Sequence, residues 1–374
     1  MMRPTWATVD LDAIEHNVRA LRAVSHPAVV CAVVKANGYG HGAVPVARAA
    51  LRGGAAWLAV ACVDEALELR EAGIDASILV LSEPRPAEMR VAFDAGVRVT
   101  VYSHVGIAAA ADAARAGSTE RWPVQLKVDT GMNRVGAAAA DVLALAGAIV
   151  SSGVLELESV WTHCAVADSP EDPFTAAQLE RLGDVLSLLA ANGHRPPMVH
   201  AANSAGAIAH PDARFDLVRC GIAIYGIAPS EALDAAIELH PALTLRSEIV
   251  HVHEVAAGEG VSYGRRWRAM RPTQVATLPI GYADGVRRSL GLEGGVALVR
   301  GMRCPILGVV TMDQLMVDVS VVNAEVGDEV ILIGRQGGAA ITANEVGVLL
   351  DTIGYEITCG ISSRVPRRYE GAAT

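Results

Sequence analysis

Aromatic side chains are scarce, with Phe 3, Trp 5 and Tyr 7 in 374 residues, although 52% of the sequence is hydrophobic. The core must therefore be built from Ala, Val, Leu and Ile, which suits layered packing of helices on strands. Cysteine is sparse as well. Cys31, Cys62, Cys164, Cys220, Cys304 and Cys359 form no CxxC pair, and most lie in apolar runs where a thiol is a small buried hydrophobe. A reducing, cytoplasmic compartment is expected, and no metal site. Gly 36 and Pro 17 fall well short of the share that marks disordered chains. There is no basic block: the net charge of −10 is spread along the chain, which argues against nucleic acid or an anionic membrane surface and for a small-molecule partner. The opening MMRPTWATVDLDAI has no basic leader followed by an apolar stretch. Lys35 or Asp141 interrupts the longest apolar runs before about 18 residues accumulate, so neither secretion nor a membrane span is expected. The length fits two domains, or one barrel of about 250 residues with an appendage.

What is present is a rhythm of short β-branched runs separated by helical patterns. Eight such runs occur: AVVCAVVK ending at Lys35, WLAVAC from Trp57, SILVLS from Ser77, VRVTVYS from Val97, PVQLKVD from Pro123, LELESVWTHC from Leu155, MVHAAN from Met198 and FDLVRCG from Phe215. Most are largely apolar, as expected of parallel strands covered on both faces. Between them lie patterns such as VDEALELREAG and PFTAAQLERLGDVLSLLAANG, the latter with Leu179, Leu182, Leu186 and Leu189 on one stripe and Gly193 as terminator. Eight strand and helix units predict an α/β fold whose N-terminal part is a (β/α)8 TIM-type barrel.

After about His240 the rhythm changes to TLRSEIVHVHEV, QVATLPIGY, GVALVRG, QLMVDVS and DEVILIG, with turns and almost no helical pattern between them. A C-terminal mainly-β domain is expected, with domains at 1–240 and 241–374 and the first residues of the chain pairing with the second. One helix is predicted near the end, because Thr342 and Glu345 have capping-box spacing ahead of VGVLLDTI, and it should deliver Tyr355 at its exit.

In such barrels the active site forms at the carboxyl ends of the strands. Five of those ends carry polar residues: Lys35 before ANGYGHG, Arg134 in DTGMNRVG, His163, then His200 with Asn203 and Ser204, and Arg219 with Gly221. An ammonium ending an apolar strand loses solvation, which lowers its pKa toward the neutral amine that attacks aldehydes, so Lys35 is suited to hold a Schiff base. A lone strand-end lysine more often snorkels as a solvated cation. Here Gly38, Gly40 and Gly42 allow close backbone approach to a ligand, Tyr39 adds a hydroxyl, and Ser204 opens a short helical segment whose N–H groups can take a phosphate.

The segment VVKANGYGHG, preceded by TWATVDLDAIEHNVRALR, resembles the pyridoxal-phosphate lysine segment of the alanine racemases. KVDTGMNRVG, WTHCAVAD, HAANSAGA, VRCGIAIYG, VSYGRRW, IGYADGVRR, TMDQLMVDV and TIGYEITC follow in the order that family shows, over nearly the whole chain. The resemblance implies pyridoxal 5′-phosphate as cofactor, a small amino acid as substrate, and a head-to-tail homodimer whose active sites borrow residues from the second chain. The activity implied is interconversion of L- and D-alanine, supplying D-alanine for peptidoglycan.

By that resemblance Lys35 carries the cofactor as a Schiff base and serves as base for the D-enantiomer, while Tyr263 is the base on the opposite face. A phenol has a reference pKa of about 10, so Tyr263 needs help near neutrality; the resemblance supplies His163, linked in turn to Arg219. Arg219 faces the cofactor's ring nitrogen, where a guanidinium does not readily surrender a proton, and His200 supports it. Position alone would equally make Arg219 a barrel-rim salt bridge. Arg134 contacts the cofactor's phenolic oxygen and the substrate carboxylate. Lys127 occupies the place of a carbamylated lysine that orients that arginine, and Met312 offers its backbone N–H to the carboxylate, with Asp313 beside it. Tyr39, Asn203, Ser204, Gly221, Ile222 and Tyr355 are the remaining cofactor contacts, chiefly to the phosphate. Val309 stands where many members place an arginine at the substrate passage, while Asp168 and Arg288 match two other positions there.

Two rival readings differ in kind. A noncatalytic pyridoxal-phosphate barrel protein would lack the second domain that carries Tyr263 and Met312. The other is an enzyme of related fold, an amino-acid decarboxylase or a racemase of serine or broad range: a decarboxylase would carry a different C-terminal motif from VSYGR, which supplies the second base, whereas serine turnover stays open because a pocket rejects an added hydroxyl poorly unless it excludes it sterically.

Overall fold

The computed structural model describes residues 3–117 and 121–371. It divides into two compact units: one holds Ile14–Gly38 and Ala43–His240, the other the residues up to Ala13, Tyr39–Gly42 and the residues from Pro241 on. The first strand, β1 (Thr5–Asp10), belongs to the second of these.

The larger unit is an α/β barrel. Its strands are β2 (Val29–Val33), β3 (Trp57–Val60), β4 (Ser77–Val80), β5 (Arg98–Val101), β6 (Trp122–Lys127), β7 (Leu155–Trp161), β8 (Met198–His200) and β9 (Leu217–Cys220). They form one sheet in the order β8-β7-β6-β5-β4-β3-β2-β9, every pairing parallel. The remaining seam, β8 to β9, is joined by Asp216 N–H to Val199 O (3.1 Å) and Arg219 N–H to Ala202 O (2.9 Å), so the sheet is nearly closed. These are the eight runs anticipated from the sequence. Their residues are almost wholly buried, because helices such as Val63–Glu71, His104–Arg115 and Phe174–Ala191 cover the sheet.

The Phe174–Ala191 helix differs in detail from its sequence pattern. It buries Thr175, Gln178, Leu182, Val185 and Leu189, leaving Leu179 and Leu186 on the flanks. The stripe is rotated because Gln178 turns inward to bond the backbone of the preceding loop, accepting from Ala165 N–H (2.8 Å) and donating to His163 O (3.1 Å). Gly193 ends the helix at φ 82°, as a left-handed terminator should.

Register sets which side chains share the barrel interior. Lys127 on β6 pairs with Trp161 on β7, and Trp161 with His200 on β8. Gln125 pairs with Ser159, and Cys31 on β2 with Arg219 on β9. The β6–β7 ladder is irregular: Val124 opposes Leu157 but Gln125 opposes Ser159, so Glu158 is an extra residue, a bulge.

The smaller unit is mainly β. It contains β10 (Leu243–Glu248), β11 (His251–Val255), β12 (Gly260–Val261), β13 (Trp267–Arg268), β14 (Thr273–Leu278), β15 (Val296–Val299), β16 (Met302–Pro305), β17 (Leu315–Asp318), β18 (Glu329–Gln336), β19 (Ala339–Ile341) and β20 (Arg367–Glu370). The larger sheet runs β16-β15-β18-β10-β1-β20, with β19 on β18; β11-β14-β17 form a second sheet, and β12 and β13 a third, two-stranded one. Thr342 caps its helix as expected, accepting from Glu345 N–H at 3.0 Å. That helix stops at Leu349, however, and Tyr355 sits on a separate short helix, Gly354–Cys359. The break falls where Asp351 adopts φ 52°, a conformation that no continuing helix tolerates. Among the described residues no helix is long and apolar enough to cross a membrane.

Candidate active site

Lys35 stands one residue beyond β2 and opens a left-handed turn. Ala36 (φ 53°, ψ 49°), Asn37 (φ 51°, ψ 50°) and Gly38 (φ 59°, ψ 46°) are all left-handed, and Tyr39 continues at φ 51°. For a residue with a Cβ this costs about 1–2 kcal/mol each, so local bonds must hold it. The Glu65 carboxylate accepts from Ala36 N–H (2.7 Å) with one oxygen and from Ala61 N–H (2.7 Å) with the other. The Asn37 side chain accepts from Ala43 N–H (2.9 Å). Strain concentrated beside a candidate Schiff-base lysine is the pattern of a functional site. Two of the neighbouring glycines also permit close approach within the chain: a Cβ at Gly40 would collide with the Thr358 carbonyl and one at Gly42 with the Tyr369 hydroxyl.

Inside the barrel Arg219 is 3% exposed and has a dense set of neutral acceptors. Its Nη1 donates to His200 Nδ1 (2.6 Å), and the two hydrogens of its Nη2 are shared among Thr162 O (2.8 Å), Ala201 O (2.9 Å) and His163 Nδ1 (3.2 Å). Burial pulls the Arg219 pKa down to about 10, which still leaves it charged near neutrality. The thiols of Cys31, Cys164 and Cys220 surround it, but burial pushes all three up, so they remain protonated and supply no countercharge. Burial, then the Arg219 charge, holds both His163 and His200 well below the usual imidazole range, with Arg134, Lys127 and Lys35 adding to the effect at His163.

Lys127 is 4% exposed, its Nζ 4.5 Å from the centre of the Trp161 ring. The Arg219 guanidinium is also 4.5 Å from that ring, and His200 stacks on it at 5.3 Å. Burial, followed by the charges of Arg219 and Arg134, lowers the Lys127 pKa to about 8. Among the described residues the buried Trp161 Nε1 has no hydrogen-bond partner. Arg134 itself is exposed, in a loop shaped by Asp129, whose carboxylate accepts from Gly131 N–H (2.9 Å) and Asn133 N–H (3.1 Å).

Of the anticipated phosphate contacts, the barrel unit brings Ser204 and Gly221 together: Ser204 Oγ accepts from Gly221 N–H (2.9 Å) and keeps its own hydrogen to donate. Ile222 follows and opens a short 3-10 helix. Asn203 is occupied as a helix cap, accepting from Gly206 N–H at 2.9 Å. Asp168 accepts from the Ser230 hydroxyl through its backbone oxygen (2.6 Å).

The β unit holds the rest. Tyr39 and Tyr355 face each other with ring centres 6.2 Å apart. Tyr263 follows β12 in a tight turn after Ser262 (φ 65°), and it is 70% exposed. Met312 is 53% exposed in the turn Thr311–Gln314, and among the described residues its N–H has no hydrogen-bond partner. The neighbouring Asp313 accepts from Arg364 at 2.6 Å. Val309 is buried, with its carbonyl accepting from Ser262 Oγ (2.6 Å), and the Arg288 carbonyl accepts from Val310 N–H (3.0 Å).

Four residues at this site escaped the sequence reading: Glu65, Gln125, Glu158 and Trp161. For Gln125 a signal existed, since it stands two places from the flagged Lys127 on the same strand face, and for Trp161 a weaker one, since it ends the strand two places before the flagged His163.

Residues 9–229 match the family model described as "Alanine racemase, N-terminal domain" and residues 242–369 that described as "Alanine racemase, C-terminal domain". The alanine racemase of Symbiobacterium thermophilum is 50% identical over 99% of this chain and 98% of its own length. The crystal structure of alanine racemase from D-cycloserine-producing Streptomyces lavendulae superposes with TM-score 0.94 at 40% identity, covering 100% of this chain and 98% of that one. That of Bacillus anthracis with bound L-Ala-P gives TM-score 0.93 at 40% identity, covering 100% and 96%.

Proposed function

Because the chain belongs to the alanine racemase family and is an amino-acid racemase, we propose that it interconverts L- and D-alanine with pyridoxal 5′-phosphate by a two-base mechanism in a cytoplasmic homodimer, supplying D-alanine for peptidoglycan. The observation that carries this is the buried Arg219 with donor-only chemistry and neutral acceptors around it, on the strand β9 that pairs with β2, after which Lys35 comes.

The residues fit the cofactor. Lys35 would hold it, Arg219 would meet its ring nitrogen, Arg134 its phenolic oxygen, and Ser204, Asn203, Gly221, Ile222, Tyr39 and Tyr355 its phosphate end. When bound, pyridoxal phosphate supplies an electron sink for the charge left when the substrate Cα proton departs. Arg219 stays charged at about pKa 10 and so keeps its protons, which would limit how much negative charge the ring accepts and suit reprotonation over side reactions.

Racemisation needs one base per face of the carbon. Lys35 Nζ serves the D-enantiomer and Tyr263 Oη the L-enantiomer. His163 Nδ1 accepts from Arg219, so its proton sits on Nε2, where it can stabilise a phenolate. Tyr263 at 70% exposure and the free Met312 N–H support sites completed by a second chain, in which Met312 would bind the substrate carboxylate with Arg134.

Carbamylation of Lys127 has its own support. Its lowered pKa leaves neutral amine to react with carbon dioxide, and the anion formed would meet the Arg219 and Arg134 charges that the ammonium repels.

Racemisation assays with alanine and serine test the reading, together with borohydride fixation of the cofactor; a labelled peptide without Lys35 refutes the anchor. Mixing Lys35→Ala chains with Tyr263→Phe chains should restore part of the activity, and no recovery counts against shared sites. Serine turned over as fast as alanine would favour the broad-range reading.

A further inference from the structure

The Arg219 cation is buried without a carboxylate among its described partners, yet the bonds leading away from it end on one. Arginine only donates, so His200 Nδ1 must accept, and the His200 proton must sit on Nε2. That Nε2 lies 2.8 Å from Gln125 Oε1, which therefore accepts, and Ser159 Oγ donates to the same oxygen at 2.8 Å. The amide's other end, Nε2, donates to Glu158 Oε2 at 2.8 Å. Glu158 in turn faces Arg98 Nε through its other oxygen at 3.4 Å.

Both ends of this chain give the same answer independently. Read from Arg219, the amide must present its oxygen to His200. Read from Glu158, a carboxylate that only accepts must face the amide's nitrogen, which again turns the oxygen to His200. Glu158 can reach the amide because it is the extra residue of the β6–β7 bulge, a device that re-aims a side chain. Gln125 and His200 are fully buried, so a donor facing a donor here would be costly.

We propose that Gln125 and Glu158 are positioning residues for Arg219, which lock the tautomer of His200 so that its Nδ1 always accepts from the guanidinium. The neutral amide transmits the polarity of Glu158 without bringing its charge against His200, where a carboxylate in contact would draw a second proton onto the ring. For its catalytic consequence the assignment rests on Arg219 facing the cofactor; the tautomer itself does not depend on that reading.

Glu158→Gln is the decisive variant. Arg98, 3.4 Å from Glu158, favours an oxygen there, which turns the nitrogen of the new amide to Gln125 and drives Gln125 to present its own nitrogen to His200. His200 then takes its proton on Nδ1, donor against donor with Arg219. Nitrogen-15 NMR of the histidine-labelled, cofactor-loaded protein reads the tautomer directly. The native protein should show His200 protonated on Nε2 alone; Glu158→Gln should show the Nδ1–H form, with kcat lowered about tenfold and KM little changed. Gln125→Leu is a second variant and the control: Arg219 still requires an acceptor at Nδ1, and Ser159 Oγ, 3.2 Å from His200 Nε2, can take the proton there, so this variant should keep the Nε2–H form. A native-like Nε2–H signal in Glu158→Gln overturns the proposal; the Nδ1–H form there, with the Nε2–H form kept in Gln125→Leu, shows that the orientation of the amide sets the tautomer. An altered tautomer with unaltered kcat leaves the lock but refutes its role in catalysis. None of these readings depends on whether alanine or serine is the preferred substrate.

Discussion

Arg219 and His200 meet across 2.6 Å, a guanidinium N–H against an imidazole nitrogen, and both side chains are buried. A buried cation beside a buried imidazole keeps that imidazole neutral, which has a consequence for stability as well as for chemistry.

His163 and His200 both have folded pKa values well below 6.5, whereas in the unfolded chain they titrate near the ordinary value. Below about pH 6.5 the unfolded state therefore binds protons that the native state refuses, and stability falls with pH by up to about 1.4 kcal/mol per unit for each group. Above that pH both states are neutral and the effect vanishes. Melting temperatures measured from pH 7 to pH 5 should show this decline, and His200→Gln should make it shallower. An unchanged slope would mean that His200 takes up its proton as readily in the native protein as in the unfolded chain.

The left-handed turn after Lys35 predicts opposite outcomes for two substitutions. Ala36→Gly should be tolerated or mildly stabilising, since glycine adopts φ 53° without cost. Glu65→Gln removes one of two charge-assisted acceptors, from Ala36 or Ala61, and should cost about 1.5–3 kcal/mol. Denaturant titration of both variants checks the pair; equal destabilisation by the two would show that the turn is not held by Glu65.

Lys127, with a pKa of about 8, carries far more neutral amine at pH 8 than an exposed lysine does. Incubation with carbon-13 bicarbonate should give one carbamate NMR signal that is absent in Lys127→Met. Loss of the signal at low pH should be accompanied by loss of activity, restored on adding bicarbonate. No signal in the native protein would leave Lys127 a plain cation.

The barrel was legible because eight apolar runs separated by helical patterns leave few other architectures, and the strand ends then named Lys35, His163, His200 and Arg219 on position. The clustering of His163, His200 and Arg219 follows from register, which a single sequence does not contain. The same holds for Glu158: regular alternation puts it on the opposite face from Ser159, and only the bulge turns it toward Gln125. The left-handed turn was masked by its glycines, which suggested ligand approach, whereas Ala36 and Asn37 carry the unusual conformation. Tyr355 was misplaced because the apolar run VGVLLDTI continues past the helix end at Leu349.

The most direct test of the account is directional. In single-turnover exchange in deuterated water, Tyr263→Phe should slow loss of the Cα proton from L-alanine far more than from D-alanine, because only the L-face base has been removed while Lys35 remains. Equal losses from both enantiomers would contradict the assignment of one base to each face.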